Sequence, residues 1–265
     1  MRVLSLLFIF LLALGGHLSA QSGPYDLRLD RELILGGAGA LALGLGTYLQ
    51  GRLDADRPLL ADLSVNRYAD VNAFDRLGTQ NASTSARLLS DHVRDAGIGM
   101  GSLLFLHRDT RRDFGKLAVL YAETMALTTG LTNLIKVTAA RPRPYTLADD
   151  WDDDRRLTSG DRASFLSGHT STAAAGSFFF ATVFSDYFPD SKLKRYVWGA
   201  AVTVPALTGY LRVRAAKHFP TDVLAGYALG AGLGYLVPTL HKRRILPRGM
   251  TISPTGTGLY AGLTF

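Results

Sequence analysis

The chain has 265 residues, a formal net charge of +7, 47% hydrophobic residues, a mean hydropathy of +0.12 and no cysteine. That length buries a substantial core in one domain, and the missing cysteine excludes disulfide scaffolds, thiolate metal sites and cysteine nucleophiles. The basic residues are scattered or sit beside apolar segments instead of forming one stripe, which argues for a membrane surface or an anionic substrate and against nucleic acid.

In chain order, Arg2, an apolar core from Val3 to Leu14 and small residues ending at Ala20 read as a secretory signal peptide cut after Ala20, with an uncleaved anchor as the alternative. Apolar periodicity then predicts helices at 32–50, 94–107, 115–135, 169–186, 195–212 and 220–240, with no strand-like alternation before the tail. The expected fold is all-α: a single domain over 21–245, built as a bundle of about six helices with the active site at one end and embedded in a membrane. The polar stretch from Gly51 to Asp91 reads as a folded excursion with short helices of its own. The tail, 246–265, alternates weakly and reads as flexible or edge-pairing.

Three short loops are basic: "HRDTRRDFGK" (107–116), "SKLKR" (191–195) and "HKRR" (241–244). Placing them in the cytoplasm puts the segments after 135, before 169 and between 212 and 220 on the opposite, outer face. Two full crossings before residue 107 conflict with an exported N-terminus, so the Gly-rich segment 32–50 is expected to lie on the membrane or in the bundle without crossing. Glu123, a carboxylate inside the helix at 115–135, is costly in lipid and favours the alternative of a soluble periplasmic bundle.

The chemistry gathers at the outer-face segments. In "KVTAARPRP", two Arg-Pro pairs force an extended chain after a helix, because proline disfavours helical geometry in the residue before it. Lys136, Arg141 and Arg143 then fan out as a cationic cluster, although a basic helix end answering the macrodipole would look the same. In "SFLSGHTST", Ser167 and Gly168 open a new apolar helix whose unpaired amides and positive end can cradle an anion, with His169 at its lip. A plain N-cap with a surface histidine fits that piece equally well. In "RAAKHFPTDVLAG", Pro220 suits the first helical turn and places Asp222 where it can reach back to His218. A carboxylate on one imidazole nitrogen fixes the tautomer and leaves the other bare, as a nucleophile or base needs. Arg212, six residues earlier, adds charge.

Together, Lys136 with Arg143-Pro144, then Ser167-Gly168-His169, then Arg212 with His218 and Asp222 resemble the three-part signature of the type 2 phosphatidic acid phosphatase and vanadium haloperoxidase superfamily. The likeness spans about 90–240. Two positions depart from the pattern: Leu166 stands where the second motif usually begins with proline, and Leu211 where serine often precedes the arginine. Neither supplies a catalytic atom in the family scheme. The resemblance implies that His218 attacks phosphorus to form a phosphohistidine, with Asp222 orienting the ring and His169 as general acid and then base. Lys136, Arg143, Arg212 and the amides of Ser167 and Gly168 would hold the phosphoryl oxygens. No metal or cofactor is required by that scheme, and Arg141 would read a second phosphate or a headgroup.

The expected protein is a phosphatase of a phosphorylated lipid or small molecule at the outer face of a bacterial inner membrane. The competing readings are a soluble periplasmic acid phosphatase of broad specificity, a vanadate-dependent haloperoxidase and a phospholipid-binding protein without catalysis. The acidic run "ADDWDDDRR" (148–156) is read as a solvated excursion, His92 and His107 as structural or surface residues, and His241 as part of a basic helix end.

Overall fold

The computed structural model describes residues 23–60, 71–78, 82–148, 151–152 and 154–243, and the backbone of 250–255 and 258–263. The expected signal segment 1–20 lies outside the described residues. The architecture is helical, as expected: α1 (Leu29–Ala55), α2 (Thr84–Gly99), a short α3 (Arg108–Arg112), α4 (Phe114–Ala139), α5 (Gly168–Tyr187), α6 (Lys194–Arg214) and α7 (Pro220–Leu240).

One boundary differs clearly from expectation. The helix expected at 94–107 is α2, which starts at Thr84 because the Ser83 hydroxyl accepts the amide of Ala86 and caps it. The apolar run that suggested the later span continues past Gly99 as a 3-10 turn over Met100–Leu106. The two ends of the polar excursion are therefore the end of α1 and the start of α2, with a 3-10 turn at Asp75–Gly78 between them. The tail pairs with itself, β1 (Met250–Thr255) running antiparallel to β2 (Gly258–Leu263) with Met250 opposite Leu263.

The Gly-rich segment, expected on the membrane or in the bundle, packs in the bundle and is longer than expected. It forms the 27-residue α1, which lies lengthwise against α4. Gly39 meets Ala126, Ala42 meets Gly130 and Gly46 meets Asn133, so the two helices run parallel at close approach. Among the described residues, α7 and the stretch Leu29–Leu53 of α1 are long and apolar enough to cross a membrane. Large apolar side chains stand exposed on both, including Leu33, Ile34, Leu41 and Leu45 on α1 and Leu224 and Leu236 on α7.

At the centre, α5 buries Ala173, Ala174, Ala175, Phe179 and Val183. Its neighbour α7 offers Gly226, Gly230 and Gly234, one per turn, to the backbone of Ser167, Ser171 and Ala175. A Cβ at Gly230 would fall 1.9 Å from the Ser171 carbonyl oxygen, so only glycine permits this approach. That parallel contact sets the N-termini of α5 and α7 side by side, and the site is built on them.

Candidate active site

Helix α4 ends at Ala140 in a left-handed conformation (φ 42°), and Arg143 follows in extended geometry, as the Arg-Pro pairs require. Lys136 Nζ donates to the Ala163 carbonyl at 2.6 Å. Arg143 is clamped by the carbonyls of Gly160 (2.7 Å) and Lys217 (2.8 Å), and its Nη1 stands 3.4 Å from His218 Nε2. Arg212, on the last turn of α6, is buried. Its Nη1 donates to Ser90 Oγ at 3.3 Å, while its Nε has no protein acceptor. Buried guanidinium donors are normally satisfied, so this one is ready for a ligand oxygen.

His218 is 1% exposed, and its Nδ1 donates to the Ser164 carbonyl at 2.7 Å. The expected carboxylate bond is not there: Asp222 Oδ2 stands 3.7 Å from Nδ1. Asp222 instead accepts the Ser164 hydroxyl at 2.5 Å and the Phe219 amide at 2.8 Å, and so closes the first turn of α7. Its other oxygen takes Arg141 at 2.6 Å. The tautomer is still fixed as expected, with the proton on Nδ1 and Nε2 bare.

Ser167 caps α5, its hydroxyl accepting the Thr170 amide. Its own amide donates to the Asp222 carbonyl at 2.9 Å, so the expected use of that amide for phosphate is corrected. The donors of this helix end begin at Gly168, whose lack of a side chain leaves Lys136 Cε 3.5 Å from where a Cβ would be. His169 Nε2 lies 2.7 Å from Asp91 Oδ1 and 2.8 Å from Arg94 Nη1, both on α2. Arg141, expected to read a second phosphate, is occupied with Asp75 (2.8 Å), Asp222 and Thr221, and stacks 4.0 Å over the Phe219 ring.

A cavity of about 460 Å³ opens between these groups, lined by Arg87, Asp91, Arg143, His169, Arg212 and Lys217 among others. Crowded cations shape its electrostatics. Burial, then Arg143, brings Lys136 down to about 7. Burial, then Arg143, Lys136 and Arg212, holds His218 well below the usual histidine range, so its imidazole is neutral. Burial, then Arg212, brings His169 down to about 4 against the opposing pull of Asp91. Like charges pressed together in a buried cavity are relieved by one bound anion.

The structure thus gathers Lys136, Arg143, Ser167, Gly168, His169, Arg212, His218 and Asp222 at one end of the bundle. Sequence reasoning missed Ser164, Asp91 and Asp75. Of the acidic run, 149, 150 and 153 lie outside the described residues.

A helical bundle that presents a buried neutral histidine to a cluster of cations defines an anion-binding, phosphoryl-handling class of site. Residues 117–246 match the PAP2 superfamily, and the chain belongs to that superfamily. It is 28% identical over 248 residues to a lipid A 1-phosphatase of Porphyromonas gingivalis, covering 90% of this chain and 51% of that protein. A lipid A 1-phosphatase of Rhizobium johnstonii is 34% identical over 115 residues, 43% of each chain. The chain thus spans about half the length of these curated relatives. The solved transmembrane PAP2-type phosphatidylglycerolphosphate phosphatase of Bacillus subtilis aligns with 79% of this chain and 99% of its own, at TM-score 0.49 and 21% identity.

Proposed function

We propose that this protein is a phosphatase of phosphorylated lipids that works through a phosphohistidine on His218, without a metal in the reaction. The observation that carries this reading is the state of His218: neutral, its Nδ1–H fixed on Ser164, its bare Nε2 3.4 Å from an arginine that lines the cavity. A neutral imidazole is the form that can attack phosphorus.

The Nε2 lone pair of His218 bonds to phosphorus as the P–O ester bond breaks, and the departing oxygen takes a proton from His169, which the bound anionic substrate lets hold that proton. Neutral His169 then accepts a proton from water as the water oxygen attacks. The P–N bond breaks, its electron pair returns to Nε2, and phosphate leaves. Arg143, Arg212, Lys136 and the amides from Gly168 onward neutralise the phosphoryl oxygens through both steps.

Lipid substrates are supported by the exposed apolar faces of α1 and α7, which lipid would cover, and by the names of the curated relatives. The three basic loops and the start of α1 lie at the end of the bundle away from the site, so the basic-inside rule favours a site facing the periplasm.

The test is a panel in detergent comparing lipid A, phosphatidic acid, phosphatidylglycerophosphate and a polyprenyl diphosphate with a soluble aryl phosphate. Each should be run on wild type and His218→Ala, with acid-quench trapping of phosphoenzyme. Lipid turnover with a trapped intermediate, both lost in His218→Ala, is expected. Unchanged turnover in that variant refutes the mechanism, and preference for the aryl phosphate refutes the substrate class.

A further inference from the structure

At the opposite end of the bundle, side chains from three segments meet around one buried point. Glu32 stands in the first turn of α1, and His241 follows the last turn of α7. Glu123 lies on α4, 13 residues before Lys136 and so about 20 Å from it along the helix. His241, at the basic helix end where it was expected, is fully buried. Its Nδ1 donates to the Val237 carbonyl at 2.7 Å, so Nε2, which hydrogen-bonds Glu32 Oε2, is the nitrogen that would give up its proton to bind a metal. That Nε2 lies 2.7 Å from Glu32 Oε2 and 3.3 Å from Glu123 Oε2, and the three donor atoms fall within 4.8 Å of one another.

The carboxylates are held for this meeting. Glu32 Oε1 already accepts the Arg28 amide at 2.8 Å and the Arg31 guanidinium at 3.2 Å, so Oε2 is the oxygen turned inward. The Glu123 side chain is only 6% exposed, and its Oε2 accepts no hydrogen bond. A buried carboxylate oxygen without a donor is strongly unfavourable. The trio is neutralised either by two protons, one on His241 and one on Glu123, or by a divalent cation, which balances both carboxylates at once.

We propose that Glu32, Glu123 and His241 bind a divalent transition-metal ion, with Zn²⁺ the best match, which staples α1, α4 and the end of α7 together. One imidazole nitrogen with two carboxylate oxygens suits zinc, while Mg²⁺ and Ca²⁺ take oxygen ligands. Metal–ligand distances of about 2.1 Å at octahedral to tetrahedral angles place donor atoms about 3.0–3.4 Å apart. The Glu123–His241 pair already meets that spacing, and the Glu32–His241 pair reaches it by opening a few tenths of an ångström. The Val237 carbonyl on Nδ1 and the Arg28 and Arg31 donors on Oε1 are outer contacts of the kind that orient metal ligands. A cavity of about 680 Å³ lies beside the trio, lined by Arg28, Arg31, Leu240, Lys242 and Arg243 among others and by none of the three ligands themselves. This cavity is larger than the one at the reaction centre and holds none of its groups, so the proposal stands apart from the phosphatase reading.

The experiment uses the untagged full chain in detergent, equilibrated with Zn²⁺, desalted and counted for metal by mass spectrometry, with melting followed in zinc, in magnesium and in EDTA. Wild type should retain about one zinc per chain, melt lower in EDTA and recover with zinc but not magnesium. Its turnover well below the melting temperature should not respond to EDTA. Glu123→Gln should lose at least about tenfold in zinc retention and melt at the same temperature with or without EDTA. Glu32→Gln makes the same comparison if Glu123→Gln does not fold. A wild type that keeps no stoichiometric zinc overturns the proposal, as do glutamine variants that keep as much zinc as wild type.

Discussion

The imidazole of His218 hangs from the backbone of Ser164: its Nδ1–H meets that carbonyl at 2.7 Å. Asp222 acts one step behind, gripping the Ser164 hydroxyl at 2.5 Å while its nearer oxygen stays 3.7 Å from the ring nitrogen. Replacing Asp222 by Asn keeps the shape but gives an N–H₂ group to a pocket built of donors: Ser164 Oγ–H, the Phe219 amide and Arg141. Turnover should fall about a thousandfold with KM changed by less than about threefold. Ser164→Ala, which keeps the carbonyl, should lose only about tenfold. Steady-state kinetics on a lipid phosphate checks both. Equal losses in the two variants would show that the carbonyl is not what holds the ring.

Protonation of His169 links pH to stability. Its folded value of about 4 lies below the ordinary 6.5, so the unfolded chain binds the extra proton first as pH falls. The stability is fully present above about 6.5 and is lost progressively as pH drops toward about 4. His218, also held low, contributes in the same direction. Thermal melts between these limits should show the decline, and His169→Asn should flatten part of it. Saturating inorganic phosphate should reduce the slope, because a bound anion lets His169 keep its proton.

Arg212 Nε is a buried donor without a protein partner, and its planar fork can reach a phosphoryl oxygen while Nη1 keeps Ser90. Lysine preserves the charge but not that second donor. Arg212→Lys should cut kcat about a hundredfold, and inorganic phosphate should inhibit it more weakly than wild type. Unchanged kcat would place the arginine outside phosphate binding.

Gly230 lets α7 lie on the backbone of α5. In Gly230→Ala the new methyl carbon falls 1.9 Å from the Ser171 carbonyl oxygen, which is backbone and cannot swing aside. The helices must separate, and overpacking of this kind costs at least about 1–3 kcal/mol. A lower melting temperature together with lower activity is expected, because the separation moves the helix end that carries His169 away from the one that carries Asp222. A fully stable, fully active variant would contradict the close packing.

The residues gathered at the candidate site were legible in the sequence because each sits at a helix end marked by local signals: Arg-Pro pairs after Lys136, Ser-Gly before His169, Pro220 before Asp222. Their partners were not. Asp91 lies 78 positions from His169, within a stretch where Arg and Asp alternate freely, and nothing local distinguishes it from its neighbours. Ser164 meets His218 through a backbone carbonyl, which any residue type could supply, and its hydroxyl reaches Asp222 from 58 positions away. Arg141 looked like a substrate reader because arginine beside a phosphate motif invites that role, yet its charge is answered inside the protein by Asp75 and Asp222. The length of α1 was misjudged because glycines that suggest weakness in isolation are the contact points against α4.

The Arg141 bridge makes the early polar segment part of the reaction centre's foundations. Asp75 takes the Thr221 amide and hydroxyl as well as Arg141, so one carboxylate 146 residues upstream pins the start of the helix that carries Asp222. A minimal version of this enzyme, trimmed to the three motifs and the helices that bear them, would lack that anchor. It would leave Arg141 with one counter-ion in place of two, and such a trimmed chain should be judged first by how well it keeps Asp222 in register.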